Sequence, residues 1–136
     1  MIAVSSIMLA SCGHSTDAHR EPSLVIHYLP FDIETLTPVT TSDMGGGDGC
    51  RLPLASELAT RILSILDSSG KAAPARTFDG KRVRAQIVEI ARSKRVLAFV
   101  DAEGVVRRGE VDGALTAEAR DTLKGLLDQA CGYTRP

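Results

Sequence analysis

Asp32 and Glu34 are the first pair along the chain whose types and spacing suit chemistry. Two residues apart on an extended strand, they share a face, which brings their carboxylates within about 7 Å. Paired-acid hydrolases use that range, one carboxyl giving a proton while the other attacks or activates water. An amphipathic strand that turns two acids to solvent has the same spacing. With three Phe, two Tyr and no Trp, the chain has little aromatic surface on which to seat a sugar, so the solvent-facing reading is preferred. His27 can act as a base or ligand, but a metal site needs three or four converging donors, and no His or Cys cluster supplies them. His14 and His19 stand in a polar stretch where a lasting metal site has no support. The run Met44–Gly49 lacks the Lys-Ser/Thr pair of a phosphate-cradling P-loop, and Asp43 and Asp48 do not fit the calcium-loop series. Ser11 or Ser56 with His27 makes no recognisable nucleophile arrangement. No catalytic residue, metal ligand or cofactor is therefore assigned.

Charge gives a better lead. The whole chain has a formal charge of -1, with no general pull toward nucleic acid. The charge is unevenly spread: residues 1–48 hold one Arg and six acids, whereas residues 49–136 carry a net +4. Between 76 and 95, Arg76, Lys81, Arg82, Arg84, Arg92, Lys94 and Arg95 oppose only Asp79 and Glu89. Such a surface suits an acidic protein, a glycan or an anionic lipid headgroup. RNA is disfavoured by the scarcity of stacking aromatics. A solvated sheet edge protected from aggregation has the same composition.

The amino terminus points to a compartment. Ile2 to Ala10 is apolar, but nine helical residues reach only about 14 Å, against a hydrocarbon layer of about 30 Å. A short apolar stretch that ends in small residues is the form of a secretory signal. Leu9-Ala10-Ser11-Cys12 resembles the lipobox of bacterial lipoproteins. The resemblance implies export, lipid transfer to the Cys12 sulfur, cleavage after Ser11 and acylation of the new terminus. Gly13 follows where an Asp would favour inner-membrane retention, so the implied destination is the periplasmic face of the outer membrane. The likeness departs from the family in having no Lys or Arg before the apolar run. It leaves residues 1–11 as a signal peptide and 12–22 as a lipidated cysteine with a flexible polar tether. Several acyl chains together anchor a protein firmly without a spanning helix. If Cys12 carries lipid in an oxidising space, Cys50 and Cys131 remain and can form one disulfide. The alternatives are a small periplasmic hydrolase or enzyme inhibitor, and a cytosolic structural or interaction protein whose first strand is Ile2 to Ala10.

The 136 residues suit one modest domain, placed at 23–133 with a short tail at 134–136. Leu24 to Thr35 reads as extended, bent or placed at an edge by Pro30. Thr37 to Cys50 reads as loop. Pro53 suits the first turn of a helix whose stripe is Leu54, Leu58, Ile62, Ile65 and Leu66. Arg82 to Ile90 is read as a strand for its β-branched residues. Val96 to Val100 and Val105 to Val111 flank a turn at Asp101–Gly104. Thr116 caps a final helix with a stripe of Ala119, Leu123, Leu126, Leu127 and Ala130, and Gly132 stops it. The expected fold is α+β, in the order β-α-β-β-β-α, with a small antiparallel sheet packed against two amphipathic helices.

Overall fold

The computed structural model describes residues 21–31, 33–45, 49–70 and 75–132. The lipobox-like segment, Asp32 and residues 46–48 of the Gly-rich run lie outside the described residues. The architecture is α+β, as the periodicity implies. Strands β1 (Ser23–Tyr28), β2 (Cys50–Pro53), β3 (Val83–Ile90), β4 (Lys94–Asp101), β5 (Val105–Arg108) and β6 (Val111–Ala114) form one antiparallel sheet. Their order is β2-β1-β3-β4-β5-β6, so all but one pair of neighbours are also neighbours in sequence. The helices are a single turn, α1 (Thr41–Met44), and two longer ones, α2 (Glu57–Asp67) and α3 (Ala117–Cys131).

Both expected stripes pack on one face of the sheet, although Leu54 precedes α2 and Leu58, Ile65, Ala119 and Ala130 are only partly buried. Ala59, Ile62 and Leu66 of α2 and Leu123, Leu126 and Leu127 of α3 pack on Leu24, Ile26, Ala85, Ile87, Ala98, Val100 and Val106. Each helix starts at an oxygen cap: Ser56 Oγ accepts the Ala59 amide at 3.2 Å and Thr116 Oγ1 accepts the Ala119 amide at 3.1 Å. Gly132 ends α3 in the left-handed conformation, as expected from its place after the stripe. On the other face a smaller cluster of Met44, Phe78, Val83, Val105 and Ala114 is covered by α1 and the connector before β3. This second cluster seats Val39, Met44 and Phe78 against the sheet.

The structure corrects the sequence reading in four places. The first strand stops at Tyr28, because Pro30 cannot continue a ladder and instead accepts the Ile33 amide in a turn at 3.2 Å. Thr40–Met44 is not loop; Asp43 accepts the Thr40 amide at 2.8 Å and closes a capping box around one helical turn. Pro53 ends β2 rather than opening α2; β2 is an edge strand, where a missing N–H is tolerated. Val105 to Val111 is not one strand. Gly109, at φ +63°, takes the first position of a two-residue hairpin turn and sends β6 back along β5.

Cys50 and Cys131 form a disulfide, their Cα atoms 5.3 Å apart. It ties the outer edge strand to the last turn of α3. The 82-residue segment it closes corresponds to about 4.5 kcal/mol in the chain-entropy account.

Two glycines predict opposite outcomes. A Cβ at Gly125, on the exposed side of α3, meets nothing within 4 Å. At Gly113 of β6 it would lie 3.1 Å from the Ser69 carbonyl carbon and 3.2 Å from the Gly70 nitrogen, where the end of α2 approaches the sheet. Gly125→Ala should raise stability by up to about 1 kcal/mol, and Gly113→Ala should lower the melting temperature. Thermal melts giving the same sign for both would contradict this packing.

Candidate anion-binding cleft

Asp101 organises the ground on which the basic residues stand. It ends β4 at 1% exposure, and its carboxylate accepts three backbone amides: Asp79 at 2.8 Å, Glu103 at 2.9 Å and Val105 at 2.9 Å. A buried carboxylate is tolerable only when its oxygens are so occupied. Two of these bonds shape the Asp101–Gly104 turn, in which Gly104 donates to the Asp101 carbonyl at 3.1 Å. The third fixes Asp79, whose side chain receives the Lys81 amide at 3.0 Å and whose carbonyl receives the Arg82 amide at 3.1 Å. Asp79 and Gly80 thus form a compact turn, and it launches Lys81, Arg82 and Arg84.

A second segment closes over them. After Leu29, whose amide donates to the Arg84 carbonyl at 2.8 Å, the chain leaves β3, exposes residues 33–38, then returns at Val39, which bridges to Arg82 in parallel. The Val39 amide donates to the Lys81 carbonyl at 3.0 Å, and its own carbonyl accepts Val83 at 2.9 Å. Between this excursion and the start of β3 is a cleft of about 410 Å³, lined by residues 34–38 on one side and Lys81, Arg82 and Arg84 on the other. That volume lies in the range of small-ligand sites.

The three cations have different surroundings. Lys81 is exposed. Arg82 pairs with Glu103 at 3.0 Å, both side chains being about half exposed, so the pair holds it only weakly. Arg84 is 4% exposed. Its Nη1 donates to the Val83 carbonyl at 3.1 Å and its Nη2 to the Ile33 carbonyl at 3.2 Å, while its buried Nε has no hydrogen-bond partner. No carboxylate among the described residues forms a salt bridge with it. Burial, and then the like charge of Arg82, pull the Arg84 guanidinium below its ordinary range against the opposing influence of Asp101. Arg120 also has an unbonded buried Nε, but it lies over the Phe31 ring at 5.4 Å and donates to the Ala102 carbonyl, away from the cleft.

The sequence grouped seven cations; the structure gathers three of them. Arg92, Lys94 and Arg95 lie at the β3–β4 hairpin, the other end of an eight-residue strand and so roughly 23 Å away. Arg95 is paired there with Glu89 at 3.0 Å. Arg76 is exposed in the connector before β3. Glu34 is exposed on the cleft wall, whereas its supposed partner Asp32 lies outside the described residues. His27 is half-buried on β1 in register with Gln86. Among the described residues, no three His, Cys, Asp or Glu side chains form a metal-holding group. Sequence reading placed Arg84 in a surface patch and missed its burial, which requires the return of residues 33–39.

Comparison with protein families, curated proteins and solved structures finds no match for this chain.

Beside the cleft, Arg107 grips Asp112 through both oxygens, at 2.7 and 3.0 Å, while lying over the Phe78 ring at 4.9 Å. Asp112 also accepts the Phe78 amide at 3.1 Å, clamping the connector onto the β5–β6 hairpin. The Arg107 hydrogen bonds, above all, hold the Asp112 carboxyl below its ordinary value. A carboxyl lowered on folding stabilises the fold above its unfolded pKa, about 3.9, and loses that contribution as pH falls through the lower folded value. Asp112→Asn should thus cost about 1 kcal/mol at neutral pH, a figure kept low because Arg107 is partly exposed. Denaturant melts should show the gap from the native protein closing below about pH 4; a gap unchanged down to pH 2 would count against the clamp.

Proposed function

We propose that this chain is an exported, lipid-anchored binding or scaffolding module, held by acylated Cys12 at the periplasmic face of the bacterial outer membrane. The disulfide between Cys50 and Cys131 carries this reading. Structural disulfides persist in oxidising compartments and are rare where thiols are kept reduced. Of three cysteines, two are paired with each other, which leaves for acylation the one that follows Leu9-Ala10-Ser11. Among the described residues no helix is long and apolar enough to cross a membrane, and several acyl chains on Cys12 would anchor the chain without one.

A binding role is favoured over catalysis by the charge in the cleft. Three cations face a single described acid, Glu34, and no nucleophile with an adjacent base joins them. That arrangement attracts and orients an anion.

Intact-mass and nonreducing peptide analysis of protein taken from its native membrane tests the anchor and the pairing together. The expected chain begins at Cys12, bears added lipid mass and yields a peptide linking Cys50 to Cys131. Retained Met1 with three free thiols would overturn the export reading and favour a cytosolic chain.

A further inference from the structure

Arg84 presents an unusual balance of charge. A buried guanidinium normally has a carboxylate beside it, because an uncompensated charge is expensive to take out of water. Here two carbonyl oxygens take Nη1 and Nη2, Nε is left over, and the nearby carboxylate of Asp101 is occupied by three amides. Lys81 and Arg82 add two more positive charges at the same cleft, where Glu34 lines the opposite wall and Glu103 pairs with Arg82 in a half-exposed ion pair. We propose that the cleft between residues 34–38 and Lys81–Arg84 binds a phosphate group, with Arg84 as its fixed buried cation and Lys81 and Arg82 as its exposed ones.

The chemistry selects phosphate from among anionic partners. A single carboxylate brings one charge and two acceptor oxygens, and an uncharged glycan brings no charge. A flat acidic protein face cannot enter a cleft to approach a guanidinium in its wall. Phosphate has the charge and acceptor oxygens for several cations at once, and arginine's donor fork matches it. Thr35 and Thr37 line the opposite wall and carry hydroxyls that can donate. Leu36, between them, is fully exposed at the rim, as suits contact with the headgroup region of a bilayer. The phosphate can come from a lipid headgroup or from solution. This site gives the proposed binding role its ligand chemistry, and it rests on that reading for the choice of a membrane as one source.

The full-length chain carrying Cys12→Ser separates this question from acylation, since no lipid can attach to it. Amide NMR during titration with inorganic phosphate, at ionic strength held constant with chloride, should show saturable shifts confined to residues 33–39 and 81–84. Lys81→Gln with Arg82→Gln, both at exposed positions, should weaken phosphate binding at least tenfold while leaving the circular dichroism melt intact. Arg84→Met should abolish binding, and the exposed double variant keeps the test decisive if Arg84→Met does not fold. Phosphatidylcholine vesicles with and without phosphatidylglycerol then identify the source. Retention by phosphatidylglycerol vesicles that phosphate reverses marks a lipid headgroup; phosphate binding without retention marks a soluble phosphate. Shifts that chloride alone reproduces, equal affinity in the double variant, or vesicle retention without saturable phosphate shifts would each overturn the site. None of those results depends on whether Cys12 carries lipid in the cell.

Discussion

A carboxylate withdrawn from water at the end of β4 sets the geometry of the cationic end of this fold. Asp101 can stay buried because three amides take up its oxygens. Those amides belong to two turns far apart in sequence. The first reverses β4 into β5; the second leads the connector into β3. Holding both to one side chain fixes where β3 begins, and hence where Lys81, Arg82 and Arg84 stand. Without it, the return of residues 33–39 would have no fixed strand edge to meet at Val39.

The disulfide restrains a different part of the molecule. It joins β2, at one edge of the sheet, to the end of α3, whereas Asp101 works near β3, β4 and β5. Between them lies the core of α2 and α3 stripes on the sheet. One clamp acts mainly by limiting the unfolded chain, the other by satisfying polar groups in the folded one. Between these supports, Arg84 is held buried at the cleft with no salt bridge to a described carboxylate.

Local pattern carried much of the fold. The leucine and isoleucine stripes of α2 and α3, the Thr116 cap, the Gly132 stop and the Asp101–Gly104 turn all depend on neighbours within a few residues. Those were legible because helix period and turn chemistry are local properties. The split of β5 from β6 rested on a single glycine inside a run that otherwise reads as a strand. Pro53 could equally open a helix or end an edge strand, and only the pairing with β1 decides. The cleft was legible only as composition. Arg84 is one of seven cations until residues 33–39 cover it, and Asp101 reads as a turn opener until Asp79, twenty-two residues earlier, donates to it. Both depend on contacts that no sequence period encodes.

Native-state hydrogen exchange of Asp101→Asn beside the unaltered protein tests the dependence on Asp101 most directly. An amide side chain offers one acceptor oxygen and turns a donor toward a group that is itself a donor. The unaltered protein should protect the amides of Asp79, Glu103 and Val105. The variant should lose that protection, along with protection at Arg82 and Val83, while the β1–β3 ladder from Ser23 to Ile26 stays slow. Equal protection of the three amides in both proteins would show that the turns hold without the carboxylate, and would contradict this account.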